Sequence, residues 1–224
     1  MDYRVQDNIA RITFDDGKAN SVGPTFLEAI NAALDQAEAD NAGAVILQGR
    51  EGMFSAGFDL GEFQKGPEAT VTMVSGGFKL LVRLFSFPMP VVCACTGHGI
   101  ALGAFILLAS DYRIGTQGKF KLSLPETAIG MELPPILLAL AEARLNPIHF
   151  NRAALMSENY TPDNATEAGF LDEAVAADAL DARCMEMATK LAELPGGQFA
   201  TNKLAIRART LEIMKKSIED MLAG

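Results

Sequence analysis

The stretch VVCACTGHGIALGAFILLAS, residues 91–110, decides the fold of this chain. Residues 91–96 form a continuous apolar run, which is typical of a strand buried on both faces of a sheet. Gly97-His98-Gly99 follows as a glycine-rich turn, and residues 101–110 form an apolar segment of helical length. A buried strand that leads through a tight turn into a helix predicts one βα unit of a parallel sheet.

The rest of the chain continues this alternation of strands and helices. Asp7-Asn8 separates two short alternating segments within residues 3–14, which predicts a hairpin. Further strands are predicted at 44–47, 112–114, 120–122 and 171–175, and further helices after Pro24, around 78–85, and at 133–145, 148–156, 162–168, 178–194 and 198–222. We therefore predict an α/β fold with a mostly parallel sheet, built as a single domain over 1–224 with a helical C-terminal part at 178–224.

Composition excludes several classes of protein. Hydrophobic residues make up 49% of the 224 residues and charged residues 21%, which excludes a disordered chain. The 28 acidic and 19 basic side chains give a formal charge of −9, and a nucleic-acid binder would need a basic face. The N-terminus has no signal pattern, and the longest apolar run, residues 99–110, is too short for the about 20 residues that cross a bilayer. We predict a soluble cytoplasmic protein with no nucleic-acid or membrane partner.

Metal and disulfide chemistry are also disfavoured. His98 and His149 are far apart in the sequence and have no companion ligands, so no metal site is expected. Three cysteines form no disulfide framework. Cys93 and Cys95 lie in a predicted buried strand, where they are expected to be small core residues.

The turn at residues 97–103 is the first candidate for chemistry. The dinucleotide fingerprint G-x-G-x-x-G would require a glycine at Leu102, so the spacing is off by one. What remains is a strand, a tight turn and a helix N-terminus, whose free N–H groups can hold an anion or a developing oxyanion. The alternative is an ordinary βα turn that contains glycine.

Two further segments are candidates for the same site. Residues 52–60, GMFSAGFDL, follow the predicted strand 44–47, and their small residues would permit a ligand to approach the backbone closely. Alternatively, those glycines serve only the turns of a loop. Residues 124–131, LPETAIGM, place Glu126 among mostly apolar neighbours. If Glu126 is buried, its pKa is raised, which suits a general base near neutral pH; the alternative is an exposed loop glutamate.

The order and spacing of these segments resemble those of the crotonase (enoyl-CoA hydratase/isomerase) superfamily, over almost the whole chain. The resemblance is carried by FSAGFDL at 54–60, GHGIALG at 97–103 leading to SDYRI at 110–114, and Pro125-Glu126. It implies a crotonase-like (ClpP/crotonase) fold of repeated ββα units. It also implies an acyl-CoA thioester substrate, no cofactor beyond the coenzyme A of that substrate, and a homotrimer or dimer of trimers with 178–224 as the trimerisation extension.

The resemblance further implies the residues of the site. In the family, two backbone N–H groups form an oxyanion hole for the thioester carbonyl. They correspond here to Ala56 and, counted back from Asp111, to Leu102; counting forward from Gly99 would give Gly103 or Ala104 instead. The residues expected to hold coenzyme A are Ala19, Ala56, Phe58, Leu60 and, beside Leu102, Gly103.

The carboxylates distinguish the possible reactions. Hydratases of the family carry two glutamates, because adding water to a C=C bond requires both activation of the water and protonation of the α carbon. At the first of these positions the chain has Phe105, followed by Ile106, and residues 99–110 contain no acid. The second position matches Glu126. A lone carboxylate suits the shift of a double bond, from 3-enoyl-CoA to 2-enoyl-CoA, with Glu126 as the proton shuttle and Phe105 and Ile106 keeping water away.

Two other functions remain open at this point. An enoyl-CoA hydratase could use Glu126 with a second acid, for which Glu132, Asp59 and Glu62 are candidates, although surface or helix-capping roles are the simpler reading of all three. A homologue that binds a CoA thioester without catalysis is the other alternative. The isomerase interpretation would place the chain in fatty acid metabolism.

Overall fold

The computed structural model describes residues 1–223. The strands are β1 (Asp2–Gln6), β2 (Ile9–Thr13), β3 (Ala44–Gln48), β4 (Gly52–Ser55), β5 (Val91–Cys95), β6 (Gly97–Ile100), β7 (Tyr112–Thr116), β8 (Leu122–Ser123) and β9 (Glu173–Val175). The α-helices are α1 (Pro24–Ala39), α2 (Leu60–Phe63), α3 (Pro67–Phe85), α4 (Leu102–Ala109), α5 (Pro135–Arg144), α6 (Pro147–Ala154), α7 (Pro162–Ala168), α8 (Leu180–Ala192) and α9 (Gly196–Ala223).

The larger sheet has the strand order β1-β2-β3-β5-β7-β9. Only the β1–β2 hairpin is antiparallel, and every later pair in this sheet is parallel, as predicted. The continuous apolar runs are explained by burial on both faces. Val92 and Ala94 face α8, whereas Val91, Cys93 and Cys95 belong to the main core on the opposite face.

A smaller parallel sheet has the order β4-β6-β8. The pairs β3/β4, β5/β6 and β7/β8 each give their first strand to the larger sheet and their second to the smaller one. Helices follow each pair, so the chain repeats a ββα unit three times. Because β4, β6 and β8 are parallel, their carboxyl ends lie along one edge of the small sheet.

The predicted turn at Gly97-His98-Gly99 is wrong, because these residues form β6. The cause is a close approach of two strands: a Cβ on Gly97 would lie 2.0 Å from the carbonyl carbon of Gly52 in β4. Glycine therefore serves strand contact here, and the turn itself comes later, at Ala101. Residues 52–55, read from the sequence as part of a loop, form β4.

The C-terminal helices cover two different parts of the structure. Helix α8 packs on the larger sheet, and α9 packs on α3 and α5. Within residues 1–223, no helix has both the length and the apolar character needed to cross a membrane. The predicted role of residues 178–224 in trimerisation stays a prediction.

Candidate active site

Three loops meet at the edge of the small sheet where β4, β6 and β8 end. The residues that follow these parallel strands emerge on the same side, as ligand-binding loops do at the carboxyl ends of strands. They border a mainly apolar cavity of about 560 Å³. Among the residues predicted for the site, those that line this cavity are Ala19, Ala56, Phe58, Leu60, Leu102 and Glu126. The fold thus brings the three candidate segments together.

The loop after β4 touches the start of α4 through a glycine. Gly57 has φ +93°, and a Cβ there would lie 2.8 Å from the Cβ of Ala101 and 3.2 Å from the backbone N of Leu102. Ala101 itself has φ +52° and ψ −128°, a conformation that residues with a Cβ rarely adopt. Backbone strain of this kind persists only where the surrounding structure enforces it, and it is common at functional sites.

The implied role of Ala56 as an oxyanion donor is wrong. Its N–H donates to the carbonyl oxygen of Ala19 at 3.0 Å, so this donor is already engaged. Phe58, two residues later, forms a bridge with Val22 in which its own N–H takes no part. Within residues 1–223 the Phe58 N–H has no hydrogen-bond acceptor, and the residue lines the cavity. Phe58 therefore replaces Ala56 as the candidate donor.

The second implied donor, Leu102, is free. Leu102 is the first residue of α4, so its N–H has no partner inside the helix, and within residues 1–223 it has none outside it either. The positive end of the helix dipole adds to its attraction for negative charge. Gly103 does not line the cavity: a Cβ there would lie 2.3 Å from the carbonyl oxygen of Ser55. Gly103 therefore packs α4 against β4, and its implied contact with coenzyme A stays a prediction.

Asn20 positions the loop that follows β4, although it lies outside the three candidate segments. Its buried Nδ2 donates to the carbonyls of Phe14 and Phe54, both at 3.1 Å. Its own carbonyl accepts a hydrogen bond from Ser55 Oγ at 2.8 Å, and the same Oγ accepts from the Gly57 N–H at 3.2 Å. Residue 20 adopts a left-handed conformation, with φ +50°, which asparagine tolerates better than most residues. An asparagine in a loop next to a predicted strand is the one sequence feature that could have indicated this position.

Glu126 lies immediately before a short 3₁₀ turn, Thr127–Ile129, that follows β8. Its carbonyl accepts hydrogen bonds from Ile129 at 3.2 Å and Met131 at 2.8 Å, and Gly130 ends the turn at φ +74°. The Thr127 hydroxyl anchors the turn to the end of α6 by donating to the Ala154 carbonyl at 3.0 Å. The glutamate is thus fixed by its backbone.

The Glu126 carboxyl group is buried, with only 6% of the residue exposed. Its Oε2 has no hydrogen-bond partner among the described residues. Removal from water disfavours the charged form, and this burial raises the pKa of Glu126 from 4.5 to about 7. A carboxyl group with a pKa near neutrality can both accept and return a proton, which suits a general base that later acts as an acid.

The other acids considered from the sequence differ in position. Asp59 caps α2 by accepting from the Gly61 N–H at 2.8 Å, and Glu62 pairs with Lys65 at 2.6 Å. Neither lines the cavity. Glu132 does line it, but as an exposed residue.

Phe105 and Ile106 do not line the cavity either. Both are fully buried in the main core. The predicted role of these two side chains in shielding the site from water is therefore wrong, because they do not reach the cavity. The part of the cavity next to α4 is lined by Ile100, Ala101 and Leu102 instead. No acid stands on this side, which agrees with the sequence of residues 99–110.

Several lining residues could not be assigned from the sequence. Phe63, Val74 and Phe78 come from α2 and α3, and Ser217 and Met221 come from α9. Helical periodicity marks these as inward-facing without saying which cavity they meet. Among residues 1–223 no three His, Cys, Asp or Glu side chains are grouped so as to hold a metal ion.

Comparison with known proteins assigns the family. The family model described as enoyl-CoA hydratase/isomerase matches residues 4–220. The chain belongs to the enoyl-CoA hydratase/isomerase family. The resemblance inferred from the three segments is thereby confirmed.

Solved structures of family members superpose closely. An enoyl-CoA hydratase/isomerase family protein from Pseudomonas syringae is 38% identical, with a TM-score of 0.95 over 97% of this chain and 94% of that one. A Mycobacterium tuberculosis protein is called an enoyl-CoA isomerase in one solved structure and a probable enoyl-CoA hydratase in another. It is 37% identical, with a TM-score of 0.95 over 99% of this chain and 97% and 94% of those chains. These matches confirm the predicted crotonase-like fold.

The names of the relatives divide between two reactions. A probable enoyl-CoA hydratase of Bacillus subtilis is 33% identical over a match that spans 57% of this chain and 50% of that protein. Hydratases and isomerases are thus similarly close to this enoyl-CoA hydratase/isomerase family member. The residues of the site must distinguish the reactions.

Proposed function

We propose that this protein is a 3-enoyl-CoA to 2-enoyl-CoA isomerase. The observation that supports this most is the composition of the cavity: one buried carboxyl group, Glu126, shares an apolar cavity with the unpaired N–H groups of Phe58 and Leu102. Coenzyme A enters only as part of the substrate, and the chemistry needs no separate cofactor.

The proposed reaction is two proton transfers by one residue. The Glu126 carboxylate removes a proton from C2. The electrons of that C–H bond form a C1=C2 bond while the π electrons of the carbonyl move onto the thioester oxygen, which gives a dienolate with the C3=C4 bond still in place. The N–H groups of Phe58 and Leu102 donate to that oxygen, and each such donor contributes about 3–4 kcal/mol to transition-state stabilisation. The oxyanion then re-forms the carbonyl, the C1=C2 electrons shift to make the C2=C3 bond, and the C3=C4 electrons take the proton from Glu126 at C4. The products are the conjugated 2-enoyl-CoA and the Glu126 carboxylate.

The apolar lining supports this reaction over hydration. Phe58, Phe63, Val74 and Phe78 leave few polar groups to hold a water molecule beside the acyl chain. A dienolate in such a place is protected from side reactions with water.

The test supplies purified protein with 3-enoyl-CoA and 2-enoyl-CoA in separate reactions. We expect conversion of the first and negligible hydration of the second. Glu126→Gln keeps the shape of the side chain but cannot take up a proton, so turnover is expected to fall about 10²–10⁴-fold. Glu132→Gln is the matched control, because it removes a carboxylate from the exposed part of the same cavity. A Glu126→Gln variant with full activity would refute the assignment of the base.

A hydratase is the second candidate, and Glu132 favours it. This residue lines the cavity together with Glu126, so the pair could supply the two carboxylates that hydration requires. In that case 2-enoyl-CoA is hydrated rapidly, and both Glu126→Gln and Glu132→Gln lose activity. A CoA-thioester-binding protein without catalysis would instead show a rise in melting temperature with CoA ligands and no turnover of either substrate.

We also propose, from the family resemblance, a homotrimer or dimer of trimers in the cytoplasm, acting in fatty acid metabolism. Sedimentation of the purified protein tests the assembly. A monomer at micromolar concentration would contradict it.

A further inference from the structure

A second cavity, of about 520 Å³, lies where the start of α9 passes over the ends of α5 and α8. Three basic side chains line it, Arg144, Lys203 and Arg207, which we call the basic triad. The only acid that lines it among the described residues is Asp111. The rest of the lining includes an apolar wall, formed by Leu191, Leu194, Pro195, Phe199 and Ile206.

Part of the basic triad has an evident structural role. Asp111 accepts from Lys203 Nζ at 2.7 Å and pairs with Arg207 at 2.8 Å, which ties α9 to the start of β7. These side chains are at least nine-tenths buried, with 3% of Lys203 and 10% of Arg207 and Asp111 exposed. One carboxylate therefore already serves two buried cations.

The ion pairs of Asp111 do not include the third member of the basic triad, Arg144. Its guanidinium donates only to backbone carbonyls, those of Ser110 at 2.9 Å and Asp111 at 3.5 Å, and its Nε has no partner among the described residues. Its other charged neighbours are Arg113 and Asp172, which pair with each other at 2.8 Å. Burial and the repulsion of Arg113 and Arg207 lower the pKa of Arg144 to about 9.

The charge of this cavity is thus unbalanced. Around it stand four cations, the basic triad and Arg113, against two carboxylates, Asp111 and Asp172, which leaves an excess of two positive charges. Burial of uncompensated charge costs free energy. The local excess is positive although the protein as a whole carries a formal charge of −9. A local excess of positive charge of this kind attracts an anion.

We propose that this cavity binds a small organic carboxylate. The carboxylate contacts the basic triad, where Arg144 supplies the donors that Asp111 does not use. The body of the ligand contacts the apolar wall, and Gln198 and Asn202, which also line the cavity, lie on exposed positions of α9 next to it. This site is separate from the cavity that holds Glu126, and it does not depend on the proposed isomerase reaction.

Thermal unfolding tests the proposal, with hexanoate as the probe and hexanamide as its neutral counterpart. At a hundredfold excess over its Kd, hexanoate is expected to raise the melting temperature by about 5 °C, while hexanamide does not. Arg144→Met is expected to abolish this rise. Arg209→Met is the matched control, because it removes the same charge from an exposed position of α9 and leaves the basic triad intact.

Four results would overturn the proposal. An equal rise in all three proteins would place hexanoate elsewhere, for instance in the apolar cavity with Glu126, and no rise in the wild-type protein would remove the site. A rise of the same size with inorganic phosphate would show that the apolar wall takes no part. If Arg144→Met fails to fold, Arg144→Gln keeps a donor to the Ser110 carbonyl and carries the same expectation. A variant that sediments as a smaller assembly than the wild type would place a carboxylate of a second copy in the cavity instead.

Discussion

Replacing Glu126 with glutamine should stabilise the protein above neutral pH while it removes activity. The carboxyl group is buried without a partner for Oε2, and its pKa is raised from 4.5 to about 7. Between these two values the folded chain holds a proton that the unfolded chain has lost, so the free energy of unfolding falls as pH rises from about 4.5 to about 7. The full difference is about 2.5 pH units, or about 3 kcal/mol at 1.36 kcal/mol per unit.

Glutamine is neutral at every pH, so the variant does not suffer this loss. The stability gap between Glu126→Gln and the wild type is expected to be small and constant below pH 4.5, to widen through pH 7, and to level off at up to about 3 kcal/mol. Urea denaturation of both proteins from pH 4.5 to 8.5 measures the gap. The difference between the two free energies of unfolding removes the contribution of all other titrating groups, because both proteins share them. Glu132→Gln removes an exposed carboxylate from the same cavity, so it is the control for the loss of one negative charge there. A gap that is independent of pH would refute the burial of a titrating Glu126 carboxyl group.

Three further perturbations test the geometry of the site. If ionised Glu126 is the base, kcat/KM for 3-enoyl-CoA should fall about tenfold per pH unit below about 7 and reach a plateau above it, and a pH-independent profile between 5 and 8 would exclude this base. Gly77→Ala would place a Cβ 2.5 Å from the Phe58 ring and 2.9 Å from Leu102 Cδ2, so kcat/KM should fall at least about tenfold. Gly76→Ala is the control, because its Cβ meets only the flexible end of Leu27. It should leave turnover unchanged and stabilise helix α3 by about 0.5–1 kcal/mol. Ala101→Gly should stabilise the protein by about 1 kcal/mol in urea denaturation, since relief of the positive φ outweighs the greater entropy of an unfolded glycine; a destabilised variant would contradict the strain.

The elements of the fold were largely predictable from local patterns. Continuous apolar runs and helical spacing are local properties, and they located both β3 and β5 as well as the long helices. The error at Gly97-His98-Gly99 has a different origin. Glycine is favoured both in turns and where two backbones approach closely, and only the position of Gly52 on the neighbouring strand decides between the two uses.

The candidate site was predictable in its segments and in the candidate donor Leu102, but not in the other candidate donor. That the loops after β4, β6 and β8 meet follows from the parallel order of the small sheet, which no local pattern reveals. The choice between Ala56 and Phe58 depends on where the Ala19 carbonyl lies, since that carbonyl takes the Ala56 N–H. Residues of α9 that line the cavity, such as Ser217, depend in the same way on how distant helices pack.

The groups proposed to hold the oxyanion belong to the backbone, and this explains which side chains the sequence motif contains. Any residue other than proline supplies an N–H, so the side chains of Phe58 and Leu102 are free to line the cavity that contains Glu126. What the backbone does need is space and conformation. Gly57 allows the two loops to touch, and Gly77 leaves room for the Phe58 ring and the Leu102 side chain. Gly57 is therefore part of the recognisable motif FSAGFDL, whereas the donors themselves need no particular side chain.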